Sequence, residues 1–278
     1  MSEAMNLKEL QHCELEILIM FDAYCRNHDL HYVMYYGTLL GAVRHHGFIP
    51  WDDDVDIAMP RPDYEKLINL YYDKKNLFPE PFRLVTGERD QDFALAYGKV
   101  LRTDTVIDEE SRLYTNDGGC LWMDIFPIDG FPDNWEKTDR MKTLLECNTG
   151  IGRATSITGK RRGNESLGKT LARIPVSLYS HMQGYEKYKK RYIQEALKYP
   201  YEQCDLVGIA TYTDALPTPV MKKADTEDYI NLEFEGHQFM AFSAWDEYLK
   251  GRYGNYMELP PVEKRTSHYI QVRKREHA

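Results

Sequence analysis

The chain has 278 residues, 42% of them hydrophobic and 28% charged, enough for one large domain or a core with a satellite lobe. A net charge of −9 excludes a general nucleic-acid binder. Five scattered cysteines (Cys13, Cys25, Cys120, Cys147, Cys204), without CxxC or Cys/His metal spacing, point to a reducing cytoplasm rather than a disulfide framework. The opening MSEAMNLKELQHCELEIL carries acids where a signal peptide needs a basic and then an apolar run, and no stretch approaches the roughly 20 apolar residues of a membrane span, so a soluble protein is expected. Charge is uneven: residues 151–200 hold eleven Lys and Arg against three acids, a local +8, which leaves −17 on the remainder. One face is therefore expected to meet something anionic.

In chain order, Leu7, Leu10, Glu14, Ile17, Leu18 and Phe21 recur at intervals of three and four behind Asn6, a plausible N-cap, which predicts an amphipathic helix over 6–28. HYVMYYG reads as a short strand ending at Gly37, TLLGAVR as a helix closed by His45-His46-Gly47, and Asp54–Met59 as a strand stopped by Pro60. A helix follows from Pro62 to about Tyr72. FRLVTG, ALAYGKVLR, TVIDEE and CLWMDIFPID read as strands, the last ended by Pro127. Residues 135–200 read as helical and basic, DLVGIATYTD as a strand or turn, and LEFEGHQFMAFSAWDEYLKGRYGNYMELPP as a strand pair, a short helix and a loop. The order indicates an α+β fold with a mixed sheet. Three parts are drawn: a catalytic core over 1–135, a basic helical lobe over 136–225, and a segment over 226–278 that folds back on the core.

WDDDVDI places Asp52, Asp53, Asp54 and Asp56 within five positions. Residues two apart on a strand share a side, so Asp54 and Asp56 project together while Val55 and Ile57 face the core. Paired carboxylates raise each other's pKa unless a cation compensates, and Mg²⁺ characteristically takes one or two carboxylates plus substrate phosphates. An exposed acidic turn is the bland alternative, but such a turn needs no apolar residues between its acids. Upstream, Gly37-Thr38 opens a helix, where unpaired N–H groups favour an anion. A small-residue pair followed by Asp-x-Asp on a strand is the arrangement of the nucleotidyltransferase superfamily that includes DNA polymerase β, with Thr38 in place of the usual serine.

With its flanks, YGTLLGAVRHHGFIPWDDDVDIAMPRPDYEKL resembles the signature of the LicD family of phosphocholine transferases, related to the fukutin-type phosphoribitol transferases. KVLRTDTVI, WMDIFPIDGF, LEFEGHQF and YLKGRYGNYMELPP resemble later blocks of that family, whereas the basic segment between them is not identified with a block of that family and is a place for acceptor choice. The resemblance implies a nucleotidyltransferase-like core with an added helical lobe. It also implies Mg²⁺-dependent (or Mn²⁺-dependent) transfer of phosphocholine from CDP-choline to a sugar hydroxyl of a lipid-linked precursor of a teichoic acid or lipopolysaccharide, releasing CMP. Asp54 and Asp56 would hold the metal, with Asp124, which alternates onto the face of Trp122 and Phe126, as a third carboxylate and proton acceptor. Asp129, read as a turn residue, and Asp52 and Asp53 are rivals for that role.

Arg44 and Lys99 are the candidate phosphate cations, with His45 as a further donor and Trp51 as a stacking or choline-lining ring. Each also has an ordinary reading: a helix-end charge, an exposed strand lysine, a structural histidine, a packing tryptophan. The basic amphipathic stretch 160–191 offers peripheral contact with the inner face of the membrane; a solvated helix pair is the alternative. Transfer of ribitol phosphate or glycerol phosphate, nucleotidyl transfer, and a degenerate binding scaffold are the competing functions.

Overall fold

The computed structural model describes residues 3–108, 118–155, 168, 174–175, 178–180, 182–211, 220–265 and 271–275. The first helix, α1, spans Leu7–Asn27 and starts where Asn6 and Glu9 cap each other: Glu9 N–H donates to Asn6 Oδ1 at 3.1 Å and Asn6 N–H to Glu9 Oε2 at 2.8 Å. Its buried stripe is Leu10, Cys13, Ile17, Leu18 and Phe21, with Glu14 in the same row.

β1 (Val33–Met34) is shorter than expected because α2 (Tyr36–His45) begins one residue before Gly37, with Tyr36 at φ +41°. β2 (Asp56–Pro60) follows and leads directly into α3 (Arg61–Ile68), extended by a wider turn over Asn69–Asp73. Asp54 thus lies on the approach to the strand rather than within it. β3 (Phe82–Thr86), β4 (Gly98–Arg102), β5 (Thr105–Ile107) and the long β6 (Leu121–Phe131) complete the first half. After it come α4 (Arg140–Thr155), α5 (Tyr185–Ala196), β7 (Leu206–Ile209), β8 (Met221–Lys222), β9 (Tyr229–Phe234), β10 (His237–Phe242), α6 (Trp245–Tyr253) and β11 (Val272–Lys274).

One seven-stranded sheet organises the molecule in the order β1-β2-β6-β4-β3, with β7 on β6 and β8 on β7. Only β2 and β6 run parallel, so the fold is a mixed α+β one. β6 is its spine: β2 lies along one edge, while β4 pairs with residues 121–125 and β7 with 128–131 on the other. That division explains why Pro127 does not end the strand. Asp124 N–H points to Val55 O (3.1 Å), on the β2 side, so the nitrogen three residues on points to the opposite edge. There Pro127 falls in the gap between β4 and β7, where no N–H is called for. β7 and β8, inside 136–225, extend the same sheet as the strands of 1–135. β9 and β10 form a hairpin whose turn, Glu235-Gly236, has positive φ at both residues, as a two-residue hairpin loop needs.

Two charged expectations are corrected by burial. Asp129 is a β6 residue, not a turn residue, and pairs with Arg61 at 2.7 Å with both side chains buried. Lys189 of the basic stretch also points inward, donating to Phe93 O at 2.7 Å and Asp90 O at 3.2 Å, so it is no part of a basic surface. Lys160, Arg161, Arg162, Lys169 and Arg173 lie outside the described residues. Arg61 keeps Glu88 at 3.3 Å as a second carboxylate, so Asp129→Ala should cost about 2–3 kcal/mol in urea denaturation, less than the loss of a sole partner; a loss below about 1 kcal/mol would show the pair to be dispensable.

Candidate active site

The acids meet where β2 and β6 begin side by side. Asp56 and Asp124 are register partners on these parallel strands, and Lys99 on β4 is the register partner of Asp124 on its other side. The three side chains therefore share one face of the sheet at strand spacings of about 4.8 Å. Along β6 the burial alternates, Trp122 and Asp124 half-buried between buried Leu121, Met123 and Ile125. Lys99 Nζ lies 3.4 Å from Asp124 Oδ1 and 3.8 Å from the centroid of the Trp122 ring, and the lysine is itself buried. Its ammonium is committed to Asp124 and the indole face, not to an open rim.

Asp56 is pushed well above the ordinary carboxylate range, by burial first and then by the charges of Asp54, Asp124 and Asp52; Lys99 opposes the shift. Thr38 is buried, and its hydroxyl oxygen accepts the Asp56 N–H at 2.8 Å, which ties the start of β2 to α2. Gly37 is needed for a close approach: a Cβ there would lie 2.7 Å from Asp52 Oδ2, so the Asp52 carboxylate stands beside the start of α2. The turn after α2 is held from outside, with Glu235 Oε1 accepting the Phe48 N–H at 3.0 Å.

Glu14 is the acid that sequence reasoning passed over. It sits on α1 at 1% exposure with Oε2 buried and unpartnered, and α1 touches the acid loop one turn earlier, where Gln11 Nε2 donates to Asp52 O at 2.8 Å. Burial and the charges of Asp54, Asp53, Asp52 and Asp56 push its carboxyl well above the ordinary range. Asp53 is buried beside this loop; Asp52 and Asp54 are half-buried. The signal available was a glutamate in the apolar row of an amphipathic helix.

Arg44, His45 and Trp51 group together rather than with the carboxylates. Arg44 Nε donates to His45 Nε2 at 3.0 Å and its Nη1 to Tyr256 O at 2.8 Å, while the His45 ring stands edge-on to Trp51 at 6.3 Å. The tail adds Arg265, whose guanidinium lies 5.2 Å from the Trp51 centroid. α6 brings Arg252 over the Tyr36 ring at 4.7 Å, and Tyr253, whose hydroxyl is raised by burial and by Asp56 and Asp52.

Could these acids hold a metal? Among the described residues, no three His, Cys, Asp or Glu side chains are gathered as a ready cage. Yet the charge of Asp54 raises the Asp56 carboxyl, and the ligand atoms on offer are all oxygen. That fits a hard divalent ion held by two carboxylates and completed by a substrate's phosphates.

Comparison with known proteins follows the same residues. The family described as LicD/FKTN/FKRP, nucleotidyltransferase domain, matches residues 29–128, which include β1, α2, β2 and the acid-bearing start of β6. Over 273 residues the chain is 32% identical to the lipopolysaccharide cholinephosphotransferase LicD of Haemophilus influenzae (strain ATCC 51907 / DSM 11121 / KW20 / Rd), covering 96% of this chain and 97% of that one.

Because the folded-state pKa of Glu14 is raised, the folded protein holds its proton more tightly than the unfolded chain, so this group's effect on stability worsens as pH rises above the unfolded value. Glu14→Gln should therefore raise the melting temperature at pH 7.5 by about 2 °C or more, with the gap closing towards pH 4.5. An equal gap at both pH values would refute a charge effect.

Proposed function

We propose, since the chain belongs to the LicD family, that it transfers phosphocholine from CDP-choline to a sugar hydroxyl of a lipopolysaccharide- or teichoic-acid-type precursor. The observation that carries this reading is the register pairing of Asp56 with Asp124, with Asp54 two residues upstream and Lys99 alongside. The acceptor oxygen attacks the phosphorus that bears choline, the bond from that phosphorus to the bridging oxygen breaks, and CMP departs with the electron pair. Asp54 and Asp56 would hold Mg²⁺ or Mn²⁺ together with donor phosphate oxygens; the ion would supply the charge neutralisation that phosphoryl transfer needs.

Asp124 takes the hydroxyl proton, its carboxylate fixed in place by Lys99 and, through that lysine, by the Trp122 face. Thr38 holds Asp56 at the correct height on the strand through the backbone N–H. Trp51 fits the cytosine base better than choline, because the cation of Arg265 already faces the ring and would repel a quaternary ammonium. The acceptor's lipid carrier gives the lobe a task. α5 exposes Lys187, Lys190 and Arg191, and Tyr179 and Met182 just before it are 60% and 85% exposed, a pairing of basic and apolar side chains suited to an anionic membrane face. No helix among the described residues is long and apolar enough to cross a membrane.

CMP release and choline incorporation from CDP-choline should both fall at least about a hundredfold in Asp56→Asn and Asp124→Asn, since each removes a charge acting in the transition state. Release of diphosphate instead of CMP would mean nucleotidyl transfer. Activity confined to CDP-ribitol or CDP-glycerol would change the head group, and wild-type rates in both variants would sink the catalytic reading. In vesicle flotation, the protein should float with anionic but not neutral vesicles, and charge reversal at Lys187, Lys190 and Arg191 should weaken this; flotation equal for wild type and variant would remove α5 from the contact.

A further inference from the structure

Among the described residues, the cations near Trp51 have no acid to answer them. Arg44 ends α2, Arg265 comes from the tail more than two hundred residues later, and both are half-buried. Among the described residues, no carboxylate lies within salt-bridge distance of either. Each uses a nitrogen to pin itself to a carbonyl, Arg44 Nη1 to Tyr256 O at 2.8 Å and Arg265 Nε to Pro260 O at 2.8 Å. A guanidinium has five N–H donors in a planar fork, so most of that capacity remains for a ligand. Setting Arg265 over Trp51, with Arg44 bonded to the His45 that stands edge-on to the same ring, leaves two guanidiniums close enough to repel each other, an unfavourable placement in a chain of net charge −9, which has acids to spare for pairing them.

The pair also bears on the acid cluster. Tyr253 is influenced by Asp56 and Asp52, and Arg44 and Tyr253 interact electrostatically as well. The Arg44 guanidinium is lowered from its ordinary value by burial, with Arg265 adding repulsion, and His45 is lowered by burial and by Arg44.

From this geometry we propose that Arg265 over Trp51 and Arg44 on the neighbouring His45 form a phosphate-ester seat, with the tail segment 256–265 completing it. The proposal deepens the phosphoryl-transfer reading and rests on it for the identity of the ester, while the seat itself rests on the two guanidiniums. The ordinary roles, a helix-end charge for Arg44 and a tail contact for Arg265, explain each residue singly. They do not explain why the two guanidiniums lie within range of each other's charge with no carboxylate of the described residues at salt-bridge distance. Arginine suits the task because its fork grips two phosphate oxygens at once, which lysine cannot do.

Calorimetry on the full chain decides it, with CMP, cytidine, inorganic phosphate and a soluble sugar phosphate as probes, and with Arg265→Gln, Arg265→Lys and Arg44→Gln compared with wild type. Melting temperature serves as the check on folding. The expected result is a loss of about tenfold or more in CMP affinity in Arg265→Gln and Arg44→Gln, with incomplete rescue by Arg265→Lys and unchanged cytidine binding. That pattern assigns the seat to the donor nucleotide. The same loss for the sugar phosphate, with CMP unaffected, assigns it to a phosphate of the acceptor and still supports it. Unchanged affinity for every phosphate probe in folded variants overturns it. If Asp56→Asn abolishes transfer while Arg265→Gln changes nothing, the seat fails and the reaction stands. If wild type binds no cytidine compound but binds inorganic phosphate through Arg265, the reaction fails and the seat stands.

Discussion

The rest of the structure depends on one unfavourable interaction, the mutual repulsion of carboxylates gathered at the start of β2 and β6. Asp56 and Asp124 stand at neighbouring register positions, Asp54 and Asp52 add charge from the approach to β2, and Glu14 lies buried beneath the loop. Lys99 is the cation set against them at Asp124. A fold left to maximise its own stability would not arrange charges so. It persists because the surrounding elements over-determine it: the Thr38 hydroxyl bonded to the Asp56 N–H, the Gln11 amide on the acid loop, the close approach allowed by Gly37, and the β9-β10 turn bracing Phe48. Strain held in place by a rigid frame is what a site needs if its ligand is to supply the missing charge.

The distribution of charge gives the site two poles. Carboxylates sit at the strand ends, Arg265 faces Trp51 and Arg252 faces Tyr36, while Tyr253 interacts electrostatically with Asp56 and with Arg44. A nucleotide-linked donor has a matching pattern: phosphates that bring a divalent ion to the carboxylates and also take hydrogen bonds from arginine. The C-terminal part of the chain is therefore not a mere cover. It brings Arg252 to Tyr36 and Arg265 to Trp51, and fixes Arg44 through the Tyr256 carbonyl.

Local chemistry was legible in the sequence where it was short-range. Asn6 marked the start of α1, the alternation in CLWMDIF placed Asp124 on the half-buried face, and the glycine-bearing turn in FEGHQF joined two strands. Pro127 misled, because whether a strand tolerates proline depends on which edge its nitrogen faces, and that is decided by where β4 stops and β7 starts. Asp129, Arg61 and Lys189 were out of reach for a related reason: a charge turned inward is recognisable only with its partner, and those partners are 68 or more residues away. Glu14 was visible as an acid in an apolar row but carried no meaning until α1 was laid against the Asp52–Asp54 loop. Arg265 had no local pattern at all, since its significance comes from Trp51.

The central claim is that the carboxylates form half of a metal site and the donor's phosphates the other half. Electron paramagnetic resonance of Mn²⁺ titrated into the protein, with and without CDP-choline, tests this most directly. The account predicts weak Mn²⁺ binding alone, tight binding once CDP-choline is added, and loss of the tight phase in Asp54→Asn. Tight Mn²⁺ binding that ignores the nucleotide, or a nucleotide-dependent phase that survives in Asp54→Asn, would contradict it.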